Sequence, residues 1–492
     1  MDPNTELKIL ALLTNRHNPW WSSQTLQNIP QFQRADFKRL KLELEGTKIV
    51  TVIGPRQVGK TTIVKQLIST KLSEGVAPKR ILYAQLDDVE LRILSGTPLI
   101  DLVNTYEKNV LQENLSRIQE PVYFFFDEIQ RADSWAEYLK GIRDSSPNVK
   151  MFVTGSASFT ISQQGKETLP GRQLLYTVFP LKFVDACLLK DASDKSQVFS
   201  SFKSNAYALR ASLVEAMEKK KPDIFFEEAK KILVDETRNK IEIDAAVRQY
   251  LLRGGYPEIV QTPDFEKCQR LLQGYANDVI VKDLMPWFKI RDFPTAEKLL
   301  FLLAAASGEK LNVTELLKRI SGSNQITVNK YIDYFEQLNI LGKLSGYSGS
   351  RFGSAKHPKI YFYDPGLQNA LLGRLGAKLV PDEEGHMAET AAHDHLRRLL
   401  FKLNDGVVPK MGYYVSDGKE KEIDFLIGFR KYDFNLPVEV KFRKRVEKSD
   451  LSGLYEYKET NNPRMSLVLT SDTLDYRDDI IFMPLWEFLM MA

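Results

Sequence analysis

Residues 49–62 read IVTVIGPRQVGKTT, and these fourteen residues indicate which class of fold the first part of the chain adopts. Its five leading β-branched residues, Ile49–Ile53, are typical of a buried strand, and Thr62–Leu72 has the pattern of a helix. Between them stands G-x₄-G-K-[ST], whose glycines let backbone N–H groups face phosphates at a helix N-terminus. Because strand and helix flank the motif, the sequence predicts a phosphate-binding loop rather than a tight turn that matches by chance.

The loop residues are expected to surround ATP. Lys60 is expected to reach the β- and γ-phosphates and to act in catalysis, and the Thr61 hydroxyl to hold Mg²⁺. The predicted nucleotide-binding residues of the loop are Gly54, Pro55, Arg56, Gln57, Val58, Gly59, Lys60, Thr61 and Thr62.

A second acidic motif follows the apolar run Val122–Phe126, which does not alternate and so predicts a central strand buried on both faces. The run ends in Asp127 and Glu128. Asp127 is expected to bind Mg²⁺ through water, and Glu128 to polarise the attacking water as the catalytic base. The plainer interpretation is a solvated acidic pair at the end of a strand.

Another predicted strand, Ile81–Leu86, lies between the two motifs. This order indicates the class of P-loop ATPases in which an extra strand separates the two motif-bearing strands. The next strand, Lys150–Thr154, leads into Ser156, and Thr154 or Ser156 is expected to contact the γ-phosphate or the attacking water. A Ser/Thr cap on the following helix is the alternative for either residue. A fifth strand is predicted over Leu174–Phe179.

Arg172 precedes the fifth strand. In a ring-forming ATPase such an arginine can reach the nucleotide of a neighbouring subunit as an arginine finger. The sequence therefore predicts a homo-oligomer, with a hexameric ring among the candidate forms, while a surface salt bridge is the alternative. Arg253, just before Gly254-Gly255, is a weaker candidate for a sensor within the same chain.

The rest of the chain divides by its patterns. Residues 181–300 are nearly free of strand signals, and the amphipathic segments Val313–Ile320 and Ile326–Leu338, followed by two extended runs, have the layout of a winged helix-turn-helix. The predicted domains are an N-terminal lead-in (1–46), an ATPase core (47–185), a helical lid with a helical insertion (186–296), a winged helix-turn-helix (297–372) and a smaller α/β domain (373–492).

In this order, GPRQVGKTT, FFFDEIQ, VTGSAS, LPGR and GGYPE resemble the motifs of a widespread group of prokaryotic AAA+-superfamily ATPases. NPWW, KIYFYDPGL and the pair EIDFLI and PVEVKF match the same group, so the resemblance covers almost the whole chain. It implies a P-loop parallel sheet with a helical lid and a C-terminal domain of restriction-endonuclease-like fold. The helical insertion over residues 186–240 is longer than the usual pattern of that group.

The C-terminal segments carry a second candidate site. Asp424 in one predicted strand, and Glu439 and Lys441 in the next, have the spacing D-x₁₄-E-x-K of PD-(D/E)xK nucleases. Asp424 and Glu439 are expected to bind Mg²⁺ and Lys441 to act on the attacking water. Glu389, on the preceding helix, matches the extra acidic residue that such folds often carry. Chance spacing, or a nuclease-like fold without activity, are the alternatives.

Two histidines on the same helix, His393 and His395, are two residues apart and so do not share a helix face. They are therefore interpreted as surface residues rather than metal ligands. Basic residues near Lys441 are expected to form a local phosphate-binding patch or a solvated basic edge. The residues concerned are Arg397, Arg398, Lys402, Arg443, Lys444, Arg445 and Lys448.

Composition bounds these hypotheses. The 492 residues have a formal net charge of only +4, so any nucleic-acid site must be local. Two cysteines exclude a disulfide framework, and no apolar run is long enough to span a bilayer, which predicts a cytoplasmic protein without a membrane partner.

The favoured hypothesis is an AAA+-type ATPase coupled to a nuclease-like domain that acts on nucleic acid, DNA in the first place. The alternative is an ATP-driven switch, remodeller or DNA translocase whose C-terminal domain binds DNA or protein without cleaving.

Overall fold

The computed structural model describes residues 1–22, 26, 29–156, 161, 165, 168–290, 292–320, 323–348, 351–352, 357–377, 380–403, 410–416, 421–429 and 434–492. The chain divides into two compact units. The first is Met1–Phe179 with Pro286–Lys289, and the second is Pro180–Met285 with Ile290–Ala492. No helix in the described ranges is both long and apolar enough to cross a bilayer.

The first unit is built on a five-stranded parallel sheet of β1 (Ile49–Ile53), β2 (Ile81–Gln85), β3 (Val122–Asp127), β4 (Val149–Gly155) and β5 (Gln173–Thr177). The strands lie in the order β2-β3-β4-β1-β5. Strand β4 lies between β1 and β3, with Thr51 opposite Val153 and Phe126 also opposite Val153. Because all strands are parallel, the loops that follow β1, β3 and β4 meet at one edge, as in a P-loop α/β fold. The strand between the two motif-bearing strands is β4, whereas Ile81–Leu86, which the sequence indicated for this position, forms the edge strand β2.

Strand β3 is buried on both faces, as predicted from its unbroken apolar run. The Phe124 and Phe126 rings lie 5.6 Å apart, centroid to centroid, on one face of the sheet. On the other face Phe125 lies 6.0 Å from Phe152 of β4. Fully burying a side chain of this size contributes about 1.5–3 kcal/mol, so β3 is firmly anchored where its acidic end must be placed.

The helices of the first unit cover both faces of this sheet, as is usual for α/β folds. The phosphate-loop helix begins at Lys60, two residues before the predicted start, because the loop glycine itself caps it. The α-helices are Pro3–Leu12, Ala35–Leu44, Lys60–Ser73, Val89–Leu94, Pro98–Tyr106 and Trp135–Ser145.

The second unit begins with helices, as the lack of strand signals predicted. Its α-helices up to residue 371 are Phe183–Asp194, Phe202–Lys219, Pro222–Asp235, Lys240–Arg253, Pro257–Gln261, Phe265–Asp278, Phe293–Ala305, Val313–Arg319, Gln325–Gln337 and Pro365–Leu371. The short helix Met285–Phe288 is divided between the two units.

The segment predicted as a winged helix-turn-helix has two helices followed by strands, but those strands do not form one hairpin. After the helices Val313–Arg319 and Gln325–Gln337, β6 (Leu341–Leu344) and β9 (Lys359–Phe362) pair antiparallel. The intervening β7 (Gly346–Ser348) and β8 (Arg351–Phe352) do not stay with this pair. Instead β7 pairs parallel with a strand of the C-terminal sheet, where Tyr347 lies opposite Tyr414.

Besides β7 and β8, the C-terminal sheet contains β10 (Lys410–Val415), β11 (Glu422–Phe429), β12 (Phe434–Val440), β13 (Ser466–Thr470), β14 (Asp475–Arg477) and β15 (Ile480–Pro484). Among the described residues its eight strands lie in the order β14-β15-β13-β12-β11-β10-β7-β8. The helices here are Pro381–Leu403, Ser452–Asn461 and Leu485–Met490. The order helix, β10, β11, β12, helix, β13 is an α-β-β-β-α-β unit; sequence reasoning missed its second helix and the elements after β13.

The last helix carries one buried acid outside the predicted sites. Glu487 is fully buried, and neither carboxyl oxygen has a hydrogen-bond partner among the described residues. Burial raises the pKa of Glu487 well above the usual range, because the charged form has lost its water.

Candidate ATP site and acidic cluster

The phosphate loop needs glycine at its first position. Gly54 has φ +147°, and a Cβ there would lie 2.0 Å from the carbonyl oxygen of Val178. Gly59, with φ +95°, caps the helix that begins at Lys60. Both conformations are ones that residues with a side chain rarely adopt, so the two motif glycines are required by the backbone.

The remaining loop residues divide into buried and accessible ones. Pro55 and Val58 are buried, Gln57 is exposed with φ +63°, and Arg56 and Thr62 are half-buried. The loop is therefore anchored by its apolar members and open to solvent at its polar ones.

Lys60 and Thr61, the two polar side chains at the start of the phosphate-loop helix, bond to different parts of the site. The buried Lys60 Nζ donates to the carbonyl oxygens of Gly54 and Pro55, at 2.9 and 2.8 Å, and so lies inside the loop. The Thr61 Oγ1 donates to Asp127 Oδ2 at 2.6 Å. This contact joins the helix after β1 to the end of β3.

Asp127 is buried and accepts hydrogen bonds from several hydroxyl groups. Besides Thr61, the Thr154 hydroxyl donates to its other oxygen, and the Tyr83 hydroxyl lies 3.5 Å from Oδ2. Burial raises the pKa of Asp127, while the bonds from Thr154 and Thr61 oppose this shift. A hydroxyl and a carboxylate in contact beside a phosphate loop are hard oxygen donors, and they fit Mg²⁺.

Glu128 is held by two side chains and by an uncommon backbone conformation. Its φ is +54°, a left-handed value that is uncommon away from glycine and asparagine. Gln130 Nε2 donates to Glu128 Oε2 at 2.5 Å, and Ser156 Oγ donates to the same oxygen at 3.2 Å. Sequence reasoning missed Gln130, although it stands two residues after Glu128.

The two predicted sensor residues therefore contact the acids at the end of β3. Thr154 bonds Asp127, and Ser156 bonds Glu128. Both hydroxyl groups come from the end of β4, the strand next to β3 in the sheet.

Arg34, a second residue that the sequence did not single out, supports the phosphate loop. The buried Arg34 donates to the carbonyl oxygens of Val58, at 3.0 Å, and Phe179, at 2.9 Å, and its Nε pairs with Asp36 at 2.8 Å. The guanidinium thus ties the phosphate loop to the chain that leaves β5. No motif identifies an arginine that holds the loop through backbone carbonyl groups.

The two predicted arginines of the ATPase cycle have partners of their own. Arg172 Nε pairs with Asp144 at 2.7 Å, and its side chain is 38% exposed. Arg253 donates to the carbonyl oxygens of Thr262 and Pro263, both at 2.9 Å. Arg172 is thus accessible to solvent but forms an ion pair. Arg253 instead binds the carbonyl oxygens that follow the helix Pro257–Gln261.

In the second unit, strands β11 and β12 bring Asp424 and Glu439 side by side. The Asp424 backbone N–H donates to Glu439 Oε2 at 3.2 Å, and the Val440 N–H donates to Asp424 Oδ2 at 2.8 Å. Lys441 Nζ donates to Glu439 Oε1 at 2.5 Å, so these two side chains share a face as predicted. Glu439 is itself buried, like Val438 and Val440 on the opposite face.

Glu389 completes the acidic cluster from the helix Pro381–Leu403. Its Oε1 accepts a hydrogen bond of 2.5 Å from the Tyr361 hydroxyl of β9. Burial, together with the charge of Asp424, raises the pKa of both Glu389 and Glu439. Burial alone would lower the pKa of Lys441, but Glu439 and Asp424 outweigh it and raise that pKa.

Strand β9 also contributes a lysine that the sequence did not single out. Lys359 Nζ lies 3.6 Å from Glu389 Oε1, 3.6 Å from Glu422 Oε2 and 4.0 Å from Asp424 Oδ1. Lys310 forms an ion pair with the other oxygen of Glu422. Within the described part of the chain, no three Asp, Glu, His or Cys side chains are arranged as ligands of a metal ion.

The prediction for the two histidines was wrong about their exposure. His393 and His395 are both buried, and burial lowers the pKa of each to about 3. His393 stacks on Tyr361, centroids 4.4 Å apart, and His395 Nε2 accepts from the Phe183 N–H at 3.0 Å. The helix is buried on several faces, so residues two apart can both face protein.

Several of the predicted patch residues are already paired. Arg397 and Arg398 bind the buried Asp394 at 2.9 and 2.6 Å, and Arg443 binds Asp450 at 2.6 Å. These ion pairs reduce the positive charge that the sequence run indicates.

The five-stranded parallel sheet, the glycine loop after β1 and the acidic residues at the end of β3 are the features of a P-loop NTPase fold. Residues 46–187 match the family described as an AAA domain, which assigns this part of the chain to an AAA-type ATPase domain. Residues 244–378 and 384–488 match two further families, each described as a domain of unknown function (DUF8612 and DUF4143).

Two curated relatives are similar over most of the chain. An uncharacterised protein of Haemophilus influenzae is 23% identical over 425 residues, which cover 85% of this chain and 85% of that protein. An uncharacterised protein of Methanocaldococcus jannaschii is 23% identical over 392 residues, which cover 79% of this chain and 74% of that protein.

Solved structures that align include a Walker-type ATPase of Pyrococcus abyssi, with a TM-score of 0.40, 15% identity and coverage of 71% of this chain and 99% of that one. The ORC2 protein of Aeropyrum pernix aligns with a TM-score of 0.36 and 13% identity, covering 72% of this chain and 97% of that one. The AAA domain match carries the assignment.

Proposed function

We propose that the first unit hydrolyses ATP with Lys60, Thr61, Asp127 and Glu128. The observation that carries this proposal is the hydrogen bond from Thr61 to Asp127, which joins the phosphate loop to the acidic end of β3. A carboxylate beside this pair, Glu128, is held by Gln130 and Ser156 in one orientation. That is the arrangement in which a carboxylate can accept a proton from an attacking water.

Each residue has a separate task. Lys60 exchanges its bonds to loop carbonyls for bonds to phosphate oxygens, and backbone N–H groups of residues 54–62 orient the phosphates. Thr61 and Asp127 would hold Mg²⁺, which when bound screens the charge of the phosphates. Glu128 orients the attacking water and takes its proton. Arg172 of a neighbouring subunit would approach the nucleotide, which requires release of its ion pair with Asp144 and an oligomer.

The test compares ATP turnover of the wild type with Lys60→Ala and Glu128→Gln. We expect Lys60→Ala to lose ATP binding, and Glu128→Gln to bind ATP but hydrolyse it at least about a hundredfold more slowly, the range usual for a general base. Turnover at the wild-type rate in either variant would contradict the proposal.

We further propose that the C-terminal domain has a PD-(D/E)xK nuclease-like fold that acts on nucleic acid, with DNA favoured. The α-β-β-β-α-β order and the adjacency of Asp424 and Glu439 on β11 and β12 support this. Glu389, Asp424 and Glu439 would hold Mg²⁺, since their buried negative charges require a cation or protons. Lys441 would orient the attacking water and stabilise the charge that develops on the phosphate.

Cleavage is tested with Mg²⁺ or Mn²⁺ and a panel of single-stranded, duplex and branched DNA and RNA substrates. We expect products from the wild type and none from Asp424→Ala. Cleavage that persists in Asp424→Ala would locate the activity elsewhere.

A second candidate function is favoured by the lysines of the cluster. Lys359 and Lys441 already balance part of the negative charge, as they would in a domain that binds nucleic acid or protein without cleaving it. The protein would then be an ATP-driven switch, remodeller or translocase. Stoichiometric DNA binding without product, in the same experiment, would favour this function, and DNA-stimulated ATP turnover with strand displacement would point to the translocase.

A further inference from the structure

Lys359 lies among the carboxylates of the acidic cluster in a different way from the other lysines. Lys441 makes a direct hydrogen bond of 2.5 Å to one carboxylate. Lys359 Nζ instead lies 3.6–4.0 Å from three carboxylates on two different elements and is too far from each for a direct hydrogen bond. Its side chain is only 8% exposed, so the ammonium group is enclosed by the cluster.

We propose that Lys359 is a tethered cation that occupies the divalent-metal position of the acidic cluster, so that metal binds only when the lysine side chain withdraws. This inference rests on the proposed metal-dependent function of the same cluster. It explains why the described residues offer no ready set of three acidic ligands.

The geometry makes the two cations mutually exclusive. Mg²⁺ binds oxygen ligands at about 2.0–2.1 Å and requires the carboxylates to converge. The Lys359 ammonium lies within 4.0 Å of both Glu389 and Asp424, so it takes the space that a metal bound by both carboxylates would need, and it would repel a second positive charge there. Removal of either the lysine or the metal therefore leaves room for the other.

The fold allows such an exchange without backbone movement. Lys359 belongs to β9, which is fixed to β6 by the pairing of Lys359 with Leu344, and it also bridges to the backbone of Lys310. A lysine side chain has four methylene groups and a compact charge, so its ammonium can relocate while its Cα remains in the strand. Lys441, which follows β12 directly, has no such role, because its ammonium makes a direct hydrogen bond to one carboxylate, Glu439.

The experiment measures Mn²⁺ binding by electron paramagnetic resonance at one fixed pH, without nucleotide. The Mn²⁺ binding that is lost in Asp424→Asn is the part that belongs to the acidic cluster. We expect Lys359→Met and Lys359→Gln to bind this Mn²⁺ at least tenfold more tightly than the wild type. Lys310→Met is the matched control, since it removes a lysine that contacts only Glu422 in this cluster, and it should change the affinity less than threefold.

The outcomes separate the two levels of the proposal. Asp424-dependent binding that is equal or weaker in folded Lys359 variants overturns the inference and leaves the metal site. An absence of Asp424-dependent binding in every protein overturns the metal site and the inference together.

A measurement on the wild type covers the case in which the Lys359 variants fail to fold. An amine-reactive reagent with mass-spectrometric readout should modify Lys359 at least threefold faster once Mn²⁺ occupies the cluster, with Lys310 as the internal reference. Unchanged modification of Lys359 at saturating Mn²⁺ would overturn the inference.

Discussion

Gln130 offers a sharp test of the ATPase site, because its amide holds the proposed catalytic base without belonging to any motif. Gln130→Met keeps the volume of the side chain and removes the donor that bonds Glu128 Oε2 at 2.5 Å. Ser156, at 3.2 Å, would be the remaining side-chain donor to that oxygen among the described residues. We expect Glu128 to lose its fixed orientation while the phosphate loop stays intact.

The expected magnitude follows from the kind of bond removed. A hydrogen bond to a charged group contributes about 1.5–3 kcal/mol. If that energy orients the base for the transition state, its loss slows ATP turnover by about 10- to 150-fold, since each 1.4 kcal/mol is about a factor of ten. Affinity for a non-hydrolysable ATP analogue should change by less than about threefold, because the Gln130 amide bonds Glu128 and Ser156, which lie outside the phosphate loop.

The assay is steady-state phosphate release at saturating ATP, together with binding of the analogue. Gln119→Met is the matched control: that glutamine precedes the same strand, is exposed, and its side-chain amide donates to the carbonyl oxygen of Arg117 at 3.3 Å. Gly155→Ala should reproduce the effect, because a Cβ at Gly155 would lie 2.1 Å from Gln130 Oε1 and would displace the Gln130 amide. Wild-type kcat in Gln130→Met, or a loss confined to ATP affinity, would refute the assigned role.

Three further outcomes are expected. Gly54→Ala should lower ATP-analogue affinity by more than about tenfold, since the loop must move away from a backbone carbonyl, whereas Gly141→Ala, with open space around its Cβ, should bind normally. Arg172→Ala should slow turnover by about 10³-fold if the arginine serves a neighbouring subunit, whereas Asp144→Ala, which frees that arginine, should not; equal effects would indicate a merely structural ion pair. The free energy of unfolding of Glu487→Gln should exceed that of the wild type by a margin that grows by about 1.4 kcal/mol for each pH unit above about pH 4.5. Urea denaturation at pH 5 and pH 6 measures this margin. Above the unfolded pKa, the carboxyl of Glu487 keeps its proton in the folded wild type but loses it in the unfolded chain, so the stability of the wild type falls as pH rises. Equal dependence of stability on pH in the two proteins would contradict this prediction.

Features encoded by contiguous residues could be predicted from the sequence. The strand Val122–Asp127, the phosphate loop and the alternation that places Glu439 with Lys441 all follow from local patterns, and the structure has them within a few residues. The five-stranded parallel sheet likewise follows from the order of strands and helices.

The features that could not be predicted from the sequence depend on contacts between residues that are far apart along the chain. Lys359 stands in an ordinary strand pattern, and its contact with Asp424 arises only when β9 packs against the helix and the sheet. Arg34 bonds carbonyl groups, which every residue carries. His393 and His395 were misinterpreted because helical spacing describes one buried face, whereas this helix is enclosed on several.

The parallel pairing of β7 with β10 has a practical consequence for anyone who dissects this chain. A fragment cut at the predicted boundary near residue 373 would lack β7 and expose the backbone edge of β10. Unpaired edges of this kind recruit strands from other molecules and promote aggregation. Expression of the C-terminal sheet on its own should therefore start upstream of Gly346, and insolubility of a shorter fragment would reflect a missing neighbour rather than an inability to fold.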